Sequence, residues 1–377
     1  MKRPANPVVL VIDDEPEFQQ GFTAVMGMEG LKVVVRRPHE VTATDLKEAH
    51  VIAVDYVFKW ATLPHPQELS YWPADGLALA GVVSRHLTRL RTRASVVLRT
   101  GAVSELAGDL PRQVRVPLLA AQSGLDWILE KGTTDNAENI RELADASAAL
   151  EPFFSSEGSL TWNEGCDWLR LPTSGWQEAA LAEIQVCRPP EHVVASYTSG
   201  SAWLRWFTQR ILPFPAFLVS DLRAATLLHV SLAQFRAITQ SKDTELSRRL
   251  QGCAYNGHLA GLVEPRWWRA GLEHLVDELL IEADPSLPVP DALASRYAAL
   301  HGGPVQVLPY ERPVVTIDAD YKEDGVAEFE ECVRLAPDAW PVFADEPYAL
   351  REDAVDLPEL GAMVSRGDRG RVNSVGM

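Results

Sequence analysis

Val8-Val9-Leu10-Val11-Ile12-Asp13-Asp14-Glu15 decides how the first third of this 377-residue chain is read. Five apolar, mostly β-branched residues stand in a row without alternation. The strand they form must therefore be buried on both faces, as in the middle of a parallel sheet. The run then ends in three acids. A strand that is apolar throughout and abruptly anionic places carboxylates at its carboxyl end, the rim of an open parallel sheet where ligands collect. The short apolar stretch behind Lys2 and Arg3 is too brief and ends too acidically for a secretory leader, so a cytoplasmic location is expected.

The same grammar repeats outward from this stretch. Residues 17–30 carry Phe18, Phe22, Val25 and Met26 at helical spacing, with Gly30 as a stop. Further strands are expected at 31–35, 51–54, 95–98 and 125–129, and helices at 44–49, 76–90 and about 118–123. Such alternation implies a right-handed, doubly wound parallel sheet of five strands. Residues 137–150 read as a helix that closes this unit. The expected domains are 1–140, a linker or bridging helix over 141–175, a mainly helical unit over 176–360 and a frayed tail over 361–377.

Composition narrows the function. The formal net charge of −17 opposes non-specific attraction to nucleic-acid phosphates and to anionic membranes. No apolar run approaches the roughly 20 residues needed to cross a bilayer. Cys166, Cys187, Cys253 and Cys332 show no CxxC spacing, so buried free thiols are expected rather than a zinc site.

The chemistry gathers at the strand ends. Asp13 and Asp14 close the first strand, Asp55 the third, Thr100-Gly101 the fourth and Lys131 the fifth. Carboxylates brought together repel one another and favour a hard divalent cation with oxygen ligands, such as Mg2+. With that charge offset, Asp55 can attack phosphorus and form an acyl phosphate. Lys131 can bind a phosphoryl oxygen as a point charge, and the Thr100 hydroxyl can hydrogen-bond the new phosphate and draw its loop inward.

In this order and on these strands the residues resemble those of response-regulator receiver domains, which have a flavodoxin-like fold. The resemblance implies that Asp13 and Asp14 are the acidic metal-binding pair, Asp55 the phosphoacceptor, Thr100 the switch hydroxyl and Lys131 the family's lysine. It also implies a metal-binding backbone carbonyl at Val57, two residues after the phosphoacceptor. Ala74-Asp75-Gly76-Leu77 is similar to the family's Asp/Asn-Gly-Leu opening of the third helix, and residues 124–131 to its Gly-Ala-x-x-Tyr-Leu-x-Lys signature. The aromatic switch position falls on Trp127. A stretch from Trp60 to Trp72 is inserted beside the site, and Gly132 stands where the family has proline. A sensor histidine kinase or phosphotransfer protein is the implied partner, and self-phosphorylation with slow hydrolysis the implied chemistry.

Beyond residue 176 the reading is coarser. Residues 224–236 resemble a helix-turn-helix run, with His229 where glycine is usual at the turn and Arg236, Lys242, Arg248 and Arg249 able to approach phosphates. Set against the net charge, DNA binding through 221–238 is possible but not favoured. Pro265-Arg266-Trp267-Trp268-Arg269 reads as core tryptophans rimmed by arginine, and His258 as a surface residue. Acids outnumber bases from Asp318 to Asp356, as on a solvated face. A receiver fold kept as a phosphorylation-independent adaptor is the remaining alternative.

Overall fold

Strands β1 (Val8–Ile12), β2 (Lys32–Arg36), β3 (Val51–Asp55), β4 (Ser95–Thr100) and β5 (Trp127–Glu130) lie in the order β2-β1-β3-β4-β5, every pairing parallel. This is the doubly wound, flavodoxin-like receiver sheet. The computed structural model describes residues 6–59, 73–92, 94–133, 136–150, 166–189, 201–241 and 243–373. The Trp60–Trp72 insertion and Lys242 lie outside them.

Strand alternation sorts the core into two layers. Val9, Val11, Val51, Ala53, Val97, Trp127 and Leu129 face one side, where they meet α1 (Gln20–Met28) and α6 (Asn136–Leu150). Leu10, Ile12, Ile52, Val54, Val96, Leu98 and Ile128 face the other. There they meet α2 (Ala43–Glu48), α3 (Gly76–Leu90), α4 (Val103–Ala107) and α5 (Arg115–Ser123). The expected helix at 17–30 is shorter, because a 3-10 turn over Pro16–Gln19 precedes α1 and takes the proline at its first position. Sequence periodicity does not reveal α4: five residues with Val103 and Ala107 buried are too few to show a period.

The remainder is helical with a further small sheet. Helices α7 (Gln177–Val186) and α8 (Ser201–Trp206) come first, and α8 runs on into a π-helical turn, Phe207–Ile211. They are followed by β6 (Leu218–Val219), α9 (Asp221–Leu227), α10 (Leu232–Gln240), α11 (Glu245–Gly252), β7 (Trp267–Trp268), α12 (Arg269–Ile281) and α13 (Val289–His301). Strands β8 (Pro313–Ile317), β9 (Glu323–Glu328), β10 (Cys332–Arg334) and β11 (Tyr348–Leu350) then form a sheet in the order β10-β11-β8-β9. Sequence patterning anticipates only β8, since the others are short or, like Glu-Asp-Gly-Val-Ala-Glu in β9, mostly polar. Helices α14 (Arg351–Asp356), α15 (Pro358–Met363) and α16 (Arg369–Asn373) close the chain. Described residues of the expected tail make bonds to the small sheet region: Asp368 Oδ2 accepts from Arg334 N at 2.7 Å, and Arg371 Nη2 donates to Glu330 O at 2.9 Å.

The receiver sheet and the helical remainder share a core. The α6-side layer continues through Ile140, Leu143 and Leu150 into Trp168, Trp203, Phe207 and Trp268. On the opposite flank, Val114 and Leu118 of the α5 region pack with Ile317, Tyr321 and Val333 of the small sheet. Gln113 N donates to Asp320 O there at 3.1 Å. Polar groups mark the first seam. Arg205 Nε lies 2.8 Å from Asp126 Oδ1, and Gln209 Nε2 donates to Leu125 O at 2.7 Å. Trp267 and Trp268 are buried, and His258 stacks on the Trp168 ring with centroids 4.9 Å apart instead of lying free on the surface. All four cysteines are buried free thiols.

Candidate functional site

Sheet register and parity assemble the site. Carried one residue past the strand ends, the alternation that points Val11, Ala53, Val97 and Leu129 to the α6 side also points Asp13, Asp55, Arg99 and Lys131 there. Asp14 and Thr100 belong to the opposite parity. Asp55 and Arg99 are direct partners across the β3–β4 ladder. Lys131 N donates to Thr100 O at 2.8 Å, which ties the lysine to the end of β4. Asp13, Asp14, Asp55 and Thr100 are all buried, at 3, 6, 4 and 1% exposure. The strand ends thus bring Asp13, Asp55, Arg99 and Lys131 together, with Asp14 and Thr100 next to them in sequence but of the other parity.

Each carboxylate has a different environment. Lys131 Nζ lies 2.5 Å from Asp55 Oδ1, an oxygen that takes no hydrogen bond. Both oxygens of Asp13 accept: Oδ1 from Glu15 N and Oδ2 from Gln19 Nε2, both at 2.8 Å. Burial above all lifts the Asp13 carboxyl from its usual range. The negative charge of Asp55 adds to this, while the Glu15 amide, Lys131 and Arg99 pull it back. Asp14 Oδ2 accepts from Lys59 N at 2.7 Å, and Lys59 Nζ pairs with Glu15 at 2.7 Å. The Thr100 hydroxyl accepts from Ala102 N at 3.0 Å, leaving its own proton for another acceptor.

Local sequence explains the rim's shape. Asp75 caps α3, its Oδ1 accepting from Ala78 N at 2.9 Å. Gly76 N donates to Tyr56 O at 2.8 Å, and a Cβ on Gly76 would fall 1.9 Å from Asp55 O. The glycine of the Asp-Gly-Leu motif is therefore a close approach of α3 to the end of β3. Gly132 turns the chain after Lys131 at φ +92°, a conformation glycine adopts without strain, so no proline is needed to shape this loop. Val57 is exposed, past the end of β3. Trp127 is buried in the α6-side layer, so it is a core residue here.

Two participants escaped sequence reading, Arg99 and Gln19. Arg99 Nη1 lies 2.6 Å from Gln19 Oε1 and 3.8 Å from Asp13 Oδ2, and its Cζ sits 4.4 Å above the Phe22 ring. The signal was present in the parity Val97-x-Arg99, which matches Ala53-x-Asp55. A notch of about 160 Å3 beside the rim is lined by Phe22, Arg99, Lys131, Thr133 and Asn136 among others.

A divalent cation can be tested against these donors. Among the described residues, no three carboxylate, histidine or cysteine side chains are arranged to hold a metal ion. Mg2+, however, is commonly bound by one or two carboxylates with water completing its shell. Asp14 and Asp55 are the two carboxylates that would serve, Asp55 Oδ1 exchanging its Lys131 contact for the metal.

The helix-turn-helix-like run folds as α9, a turn at His229 (φ +54°) and α10, with Ser231 capping α10 through Gln234 N. Among the described residues, three of its cations pair with acids. Arg236 pairs with Asp221 at 3.2 Å, Arg248 with Glu245 at 2.9 Å and Arg249 with Glu245 at 3.2 Å. Arg236 also lines a cavity of about 230 Å3 with Gln113, Arg266 and Trp340.

No family profile and no curated protein matches the chain. Its structural neighbours are response regulators. A receiver domain protein from Clostridium thermocellum aligns at 16% identity over 37% of this chain and 90% of its own, with a TM-score of 0.25. FixJ-N aligns at 21% identity over 38% and 95%, with a TM-score of 0.24. RcsB from Salmonella enterica serovar Typhimurium, solved on promoter P1flhDC with the phosphomimetic BeF3-, aligns at 16% identity over 55% and 95%, TM-score 0.24. No helix among the described residues is long and apolar enough to cross a membrane.

Proposed function

We propose that the chain is a response regulator of phosphorelay signalling, phosphorylated on Asp55 and passing that state to the units packed behind it. The carrying observation is the Asp55–Lys131 ion pair at 2.5 Å, set among the buried Asp13, Asp14 and Thr100. An Asp55 oxygen attacks phosphorus of a donor such as a phosphohistidine, forming a P–O bond while the bond to the donor nitrogen breaks and its electron pair returns to the imidazole. Mg2+ held by Asp14, Asp55 and the Val57 carbonyl would offset the negative charge gathered at the phosphoryl group. Lys131 shifts from the Asp55 carboxylate to a phosphoryl oxygen. The free Thr100 proton then has an acceptor, and its loop leads directly into α4 and α5.

The formal net charge of −17 disfavours duplex DNA as the target of the helix-turn-helix-like run. Acetyl phosphate with Mg2+ should add one phosphoryl group to the full chain, read by intact-mass spectrometry, and Asp55→Asn should add none. A wild-type chain that stays unmodified with this donor and with partner kinases would leave the adaptor reading in its place.

A further inference from the structure

The acid cluster contains a cation that comes from inside the sheet. Arg99 shares a ladder rung with Asp55, so its side chain enters from the same face. It is held on three sides, by Gln19 Oε1 at 2.6 Å, the Phe22 ring at 4.4 Å and the Asp13 carboxylate at 3.8 Å. Its side chain is only 13% exposed. A guanidinium stays charged under all ordinary conditions, and this one is positioned by packing rather than by solvent. Asp13 meanwhile spends one oxygen on Glu15 N and the other on Gln19 Nε2. For Asp14 the bond is at Oδ2 alone, from Lys59 N at 2.7 Å, and Asp55 Oδ1 faces the Lys131 ammonium at 2.5 Å.

We infer that Arg99 is a built-in counter-ion that withdraws Asp13 from cation binding, leaves Asp14 and Asp55 as the carboxylate donors, and sets a weak affinity for Mg2+. The inference rests on the phosphoacceptor reading only in placing Mg2+ beside Asp55. Its physical content is charge arithmetic. Three buried carboxylates with Lys131 alone would leave two negative charges uncompensated, and Arg99 removes one. A monovalent cation a few ångströms from a divalent one opposes its binding by roughly a factor of ten even with water-like screening. The same cation lets the rim stay folded without metal.

Magnesium chloride titration of the full chain by calorimetry tests this, with melting curves in chelator and in Mg2+ alongside. Arg99→Met should tighten Mg2+ about tenfold or more. It should also lower the melting temperature in chelator and recover it when Mg2+ is added. Arg99→Lys, which restores a cation, should return both readings toward wild type. Asp14→Asn should weaken Mg2+ binding far more than Asp13→Asn, a comparison that holds even if Arg99→Met does not fold. Equal affinity in wild type and Arg99→Met, or equal losses from the two asparagine variants, overturns the inference and leaves phosphorylation of Asp55 standing. No binding in any variant overturns it together with the metal part of the proposed function. Phosphoryl transfer to Asp55, measured separately, tells the two failures apart.

Discussion

Gly76 shows how much one side chain's absence can decide. A methyl group there would sit 1.9 Å from Asp55 O and 2.7 Å from Tyr56 Cα, both backbone atoms with little room to yield. Gly76→Ala should therefore cost about 1–3 kcal/mol, the range for forced overpacking, in urea unfolding. It should also slow phosphorylation, because the displaced atoms belong to the proposed acceptor itself. A variant as stable and as readily phosphorylated as wild type would mean that α3 moves aside freely. At this scale the sequence was informative wherever chemistry demanded a residue type at a strand end. Asp13, Asp14, Asp55, Thr100 and Lys131 could each be named, because a polar residue closing an apolar strand has few structural reasons to be there. Arg99 was hidden by its position within β4. A cation inside a strand reads as an exception until the ladder shows which partner it faces.

Helix α7 carries a group whose proton is governed by packing against α12. Burial lifts the Glu183 carboxyl from an ordinary 4.5 to about 7, with Arg269 opposing the shift. Glu183 Oε2 is buried and takes no hydrogen bond. The folded state thus holds a proton that the unfolded chain releases, and the associated stability is lost as pH rises from about 4.5 through about 7. Glu183→Gln removes that dependence. The variant should gain on wild type in urea midpoint between about pH 5 and about pH 8, whereas parallel pH profiles would show that Glu183 ionises normally. The elements themselves were legible in proportion to their period. The five strands of the parallel sheet and α3 showed apolar runs or long helical spacing. Helix α4, the π-helical turn and strands β9 to β11 are too short or too polar for a window of residues to detect, and their placement depends on distant partners.

Across the whole molecule, the decisive arrangement is the join between the receiver sheet and the helices behind it. Asp126 is fully buried just before β5, with Oδ2 accepting from Val96 N at 2.7 Å and Oδ1 facing Arg205 Nε at 2.8 Å. Arg205→Ala leaves that carboxylate without its cation and should destabilise the chain by about 3–5 kcal/mol. A calorimetric scan should show the whole protein, not one unit alone, melting early. Loss confined to a separate transition would mean that the two parts fold independently. The sequence marked a boundary near residues 140–175 from composition alone, but Ile140 and Leu150 pack in one layer with Trp168 and Trp203. A helix whose two faces serve two neighbours looks, in sequence, like any helix with a broad apolar stripe. For the proposed signalling, this shared layer has a consequence. Regulators joined by a slack tether can work by release, and their sensitivity follows tether length. In this chain the two parts touch through wedged rings and aliphatic side chains, so news from the rim would travel as strain in a common interior. Lengthening the connecting stretch would then alter little, while trimming a single methyl from the shared layer could mute the message.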